Sequence, residues 1–104
     1  LVNRYLDRTG DDGGFALLPY LMALRAAVRA HVGGTRAEEV RGAARDAAVA
    51  EARGYLALAR ALLAPARPRL VALGGLSGSG KTTVAEAAAP RIGAPPGARV
   101  LESD

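Results

Sequence analysis

A chain of 104 residues with a net charge of +4 has room for one small domain. It has no cysteine and a single histidine, which excludes disulfides, thiol chemistry and a zinc site built on those ligands. Its arginines are interleaved with Asp and Glu and lack an aromatic platform, so the pI of about 10.3 reads as a solvated helix surface rather than a nucleic-acid interface, and no nucleic-acid partner is expected. No apolar run approaches the roughly 18 residues needed to span a bilayer, so no membrane is implied and a cytoplasmic chain is expected.

Residues 2–9 read as the last turns of a helix, stopped by Gly10, with Asp11-Asp12-Gly13-Gly14 as a polar loop. From Phe15 to Val32 the pattern is helical. Leu17, Leu21, Leu24, Val28 and His31 recur at steps of four and three and predict one apolar stripe. Pro19 falls in the first turn, where its missing N–H costs little. His31 has a capping or packing role and no catalytic one. Gly33-Gly34 is expected to end this helix, and Thr35-Arg36-Ala37-Glu38 has the form of a capping box opening the next. That second helix is expected to reach about Ala64, with a break possible at Gly42 or Gly54. Its half from Tyr55 to Leu63 is apolar enough to be well buried. The pair makes an αα-hairpin, and the 24 alanines of the chain allow close helix approach at the expense of core bulk.

Pro65-Ala66-Arg67-Pro68-Arg69 reads as a linker, residues 65–69, between a helical segment (1–64) and an α/β segment (70–104). Beyond it the expected fold is one βαβ unit of a parallel sheet: strand 70–74, loop 75–80, helix 81–90, turn 93–97 and strand 98–102. The short apolar run Leu70-Val71-Ala72-Leu73 is of the kind buried on both faces of such a sheet.

Between strand and helix stands Gly75-Leu76-Ser77-Gly78-Ser79-Gly80-Lys81-Thr82-Thr83, which fits G-x-x-x-x-G-K-[ST] without a mismatch. Lys81 is the only lysine of the chain; the other 13 basic residues are arginine. The glycines let the backbone approach a ligand, and the loop amides form an anion nest at the start of a helix. ATP is the cofactor this pattern implies. Lys81 would reach the β- and γ-phosphates, and the Thr82 hydroxyl would take one place on Mg²⁺. Asp104, at the end of the second strand, falls on the same edge of the sheet. A carboxylate there would orient or deprotonate the hydroxyl of an acceptor, or hold a metal-bound water. Glu102 is a weaker candidate for the same role.

The chain resembles the middle of a bacterial fusion of two families. Leu1-Val2-Asn3-Arg4-Tyr5-Leu6-Asp7, Phe15-Ala16-Leu17-Leu18-Pro19-Tyr20 and residues 24–30 are similar to the C-terminal helices of aminoglycoside-phosphotransferase-like proteins. Residues 71–83 with Ser103-Asp104 look like the start of a P-loop kinase-like domain of the AAA family ATPase type. This resemblance implies that residues 1–64 are scaffold, without the catalytic acids of the first family, and that the chain is a fragment across a domain junction. It also implies a basic or neutral residue where Glu102 stands.

The leading expectation is therefore ATP binding as part of a small-molecule kinase, with an unidentified small-molecule acceptor. By itself the fragment is expected to be inactive, since further strands, a metal-site acid and a lid are missing. One alternative is a transporter- or AAA-type ATPase, suggested by Pro95-Pro96-Gly97-Ala98-Arg99-Val100-Leu101. Another is a helical interaction module with a nucleotide-sensing loop.

Overall fold

The computed structural model describes residues 1–103. It contains four α-helices: α1 (Val2–Thr9), α2 (Asp12–Glu39), α3 (Ala43–Leu63) and α4 (Lys81–Ala88), the last continued by a 3₁₀ turn at Ala89–Arg91. The α/β expectation is overturned, because no strand forms among the described residues. A strand exists only through the hydrogen bonds of its neighbour, and no backbone hydrogen bond joins residues 70–74 to residues 98–102. Both segments line one groove of about 590 Å³ beside α4. Leu70 is 97% exposed, so the apolar run that suggested a sheet interior is in solvent.

The chain divides into two compact units. One is Leu1–Phe15 together with the residues from Pro65 onward; the other is Ala16–Ala64.

The unit of residues 16–64 is built on small side chains. On α2 the positions Ala23, Ala26, Ala30, Gly33 and Ala37 are buried or half-buried; on α3 so are Ala48, Ala52, Tyr55, Ala59 and Leu62. Both sets advance in steps of three and four, the spacing of an interhelical seam. Two contacts set the antiparallel register. A Cβ at Gly33 would lie 3.1 Å from the Cβ of Ala52, and the Arg29 guanidinium lies 5.5 Å from the centre of the Tyr55 ring. The same register puts Ala37 opposite Ala48 and Ala26 opposite Ala59, all four buried. The expected hairpin is present, as is the close approach attributed to alanine.

Several of its details differ from expectation. The helix does not end at Gly33-Gly34, because Gly33 is spent on the contact with Ala52. Thr35 is not a cap: its hydroxyl donates to the carbonyl of His31 at 3.3 Å, one turn back in an unbroken helix. A break does fall at Gly42, one of the two positions where it was expected to be possible; its φ of 61° and ψ of −142° suit only glycine. The stripe of Leu17, Leu21, Leu24 and Val28 stays exposed. Helix α2 carries an alanine face and a leucine face, and a two-helix unit buries one; the smaller side chains win because they let the backbones approach. Leu56, Leu58 and Leu63 of α3 are exposed too, so only part of the stretch after Tyr55 is buried. By length and composition alone α2 is apolar enough to cross a membrane.

In the other unit, α1 ends as expected on Gly10, whose N–H donates to the Leu6 carbonyl at 2.8 Å. The acidic pair that follows is no loose turn. The Asp11 carboxylate accepts from the Gly14 N–H at 2.9 Å and caps α2, which starts at Asp12. Pro19 consequently lies well inside the helix. The side-chain amide of Asn3 donates to the Ala98 carbonyl at 3.0 Å and accepts from the Val100 N–H at 2.9 Å. It serves residues 98–100 as a neighbouring strand would, which satisfies two backbone groups without a sheet. Arg99 adds a second tie, to Asp7 at 2.6 Å and Asp12 at 2.8 Å.

Candidate phosphate-binding site

Residues 76–80 form a turn that leads into α4, as the motif requires. Gly80 stands at the helix entrance with φ 83°, a left-handed conformation that a side chain would oppose. The Leu76 carbonyl is the centre of the loop. It accepts from the Ser79 N–H at 3.2 Å and from Lys81 Nζ at 2.6 Å. The only ammonium side chain of the molecule is thus folded back over the loop that precedes it. Among the described residues, the backbone N–H groups of Gly78, Gly80, Lys81 and Thr82 donate to no acceptor. Three of these belong to the entrance of α4, where a helix leaves its donors unpaired and its dipole favours an anion.

At the next position, the Thr82 hydroxyl donates to Glu102 Oε1 at 2.7 Å. This brings together two residues 20 positions apart, the one a metal ligand expected from the motif and the other the less favoured of two acids. Asp104, the favoured one, lies outside the described residues. Thr82 and Glu102 also line a cavity of about 290 Å³, with Asn3, Asp7, Glu86 and Arg99 on its other walls. Arg99 is the cavity's cation, and its side chain is only 18% exposed. The hydrogen bonds it donates, first to the Asp7 carboxylate and then to that of Asp12, hold its guanidinium pKa above the ordinary arginine value. Both of its ion pairs are therefore committed within the unit, and the two glutamates have no ion pair among the described residues.

Leu76, Ser77, Gly78, Ser79 and Gly80 form the turn; Lys81, Thr82 and Thr83 open α4; Gly75 precedes them. A Cβ at Gly75 would sit 2.9 Å from Ser79 Oγ, so the absence of a side chain there keeps the turn tight. The network of Asn3, Asp7, Asp12 and Arg99 was not foreseeable. Its partners lie 87 to 97 positions apart and match no local pattern. No family model, curated protein or solved structure matches the chain.

Proposed function

We propose that residues 75–83 bind the polyphosphate of ATP, and that the chain is the nucleotide-binding part of a cytoplasmic, ATP-dependent phosphotransferase acting on a small molecule. The observation that carries this reading is the placement of the single lysine. A motif that asks for an ammonium at its seventh position has one there, over a glycine turn, at the start of a helix. Backbone N–H groups of the turn and of the first residues of α4 would hold the phosphate oxygens. Lys81 would exchange the Leu76 carbonyl for β- and γ-phosphate oxygens and offset the charge that builds up on the transferred group. Thr82 and Glu102 present hard oxygen donors side by side, which fits Mg²⁺. When bound, Mg²⁺ would neutralise phosphate charge and orient the γ-phosphoryl group.

Titration calorimetry with Mg·ATP tests the reading. The Lys81→Ala chain should bind roughly 10- to 100-fold more weakly, since a hydrogen bond to a charged group contributes about 1.5–3 kcal/mol. Equal affinity of the two chains would refute the assignment.

A further inference from the structure

We infer that the leucine face of α2 is an association surface, and that its occupant is a second copy of this chain docked antiparallel. The face is set by spacing. Leu17, Leu21, Leu24 and Val28 advance in steps of four, three and four, and lie about half a turn round α2 from the alanine seam. Helix α3 takes the seam, so this stripe stays bare. Tyr20 flanks it on one side and Val32 on the other, and each of these six residues is between 45% and 60% exposed.

Area separates a scatter of exposed side chains from an interface. Half-exposed side chains of this size present on the order of 80–100 Å² each, so the six offer about 500 Å² in one patch. That is near the top of the range that a typical monomer leaves in water. Two copies docked through it would remove about 1,000 Å² between them, which reaches the size of a specific but weak interface. Spacing and charge name the occupant. Steps of four and three are what one helix presents to another, each side chain filling a gap in the facing stripe. Turned antiparallel about a two-fold axis, the stripe is its own complement: Leu17 meets Val28 and Leu21 meets Leu24, twice over. Arg25 is the only charged residue between Leu17 and Val28, so no block of like charge opposes the pairing. A helix that lies on an anionic lipid surface is rich in Lys and Arg beside its apolar face. Here Arg29 is held over the Tyr55 ring, and the acidic pair Glu38-Glu39 closes the helix. Residues 75–83 take no part, so dimerisation and nucleotide binding stand or fall separately.

Sedimentation equilibrium of the full chain tests this. The wild-type chain should pass from monomer to dimer with a dissociation constant of about 10–100 µM, the scale of a small interface. Leu21→Glu and Leu24→Arg, each alone, should raise that constant roughly 100-fold, because each buries an unpaired charge at the centre of the patch. An equimolar mixture of the two should return to within about 10-fold of wild type, since antiparallel docking sets position 21 of one chain against position 24 of the other. Leu56→Glu, at an exposed leucine of α3, should dimerise as wild type does. Circular dichroism at about 1 µM, where every chain is a monomer, should give the same helix content for all of them. A wild-type chain still monomeric at about 500 µM overturns the inference. So does a mixture that stays monomeric, which excludes the antiparallel register, or a Leu56→Glu chain that dissociates as far as Leu21→Glu. A wild-type chain that stays monomeric and instead binds vesicles of phosphatidylcholine and phosphatidylserine overturns it too, and gives the face to lipid.

Discussion

At the scale of single residues, Asn3 has the largest structural consequence for its size. One amide satisfies a donor and an acceptor two positions apart on residues 98–100. Asn3→Ala removes two hydrogen bonds at about 0.5–1.5 kcal/mol each. Amide exchange at Val100 should therefore accelerate by an order of magnitude or more, while exchange within α3 is unchanged. The neighbouring Arg99 will not confuse that measurement. Its pKa is raised, so the stability from its ion pairs is fully present below the ordinary arginine value and is lost only as pH climbs past it. Across the neutral range the guanidinium stays charged. Sequence made Lys81 and Thr82 legible because a fixed spacing carries their chemistry. It gave little weight to Glu102 and none to Asn3, since their partners are set by tertiary placement alone.

At the scale of elements, α2 poses a choice between two apolar faces. Hydrophobicity favours the leucines; geometry favours the alanines, and the backbone approach at Gly33 decides it. Ala26→Leu should overpack the seam and lower the unfolding free energy by about 1–3 kcal/mol. Leu24→Gln, on the exposed face, should stay within about 0.5 kcal/mol of wild type. Urea unfolding followed by circular dichroism measures both, and the opposite ranking would mean that the leucine face is the packed one. The helices themselves were readable from composition and glycine punctuation. Their junction was misplaced by several residues because Gly33-Gly34 looks like a stop when its packing partner is unseen. The two expected strands failed for a different reason. Residues 70–73 and 98–101 have the right side chains, but a ladder also needs a paired backbone, and that is not a property of either segment.

At the scale of the whole molecule, apolar burial is sparse. Among the described residues eight hydrophobic ones are buried, and six of them are alanine. Alanine contributes little area, so most of the apolar stabilisation rests on Leu6, Leu62 and the half-buried side chains around them. A chain with so small a reserve should respond measurably to a ligand that binds only its folded form. Saturating Mg·ATP at about 100 times its dissociation constant should add roughly 2.7 kcal/mol to the unit that holds residues 75–83. Hydrogen exchange should then slow at residues 75–84 and stay as it was in the hairpin of residues 16–64. Uniform slowing over both units would show that the nucleotide is not held by the loop alone.

If residues 75–83 hold a polyphosphate as proposed, the bond from Lys81 to the Leu76 carbonyl has a consequence for which anions the loop would admit. An incoming anion must draw the ammonium away from an oxygen already 2.6 Å distant. Chloride or acetate, with a single charge, competes poorly against such a neighbour and against bulk water. A triphosphate brings several charged oxygens at once and can engage the loop amides in the same event. On the proposed nucleotide reading, the lysine's resting posture would act as a threshold, discouraging casual occupancy by cellular salts and yielding to a ligand dense in negative charge.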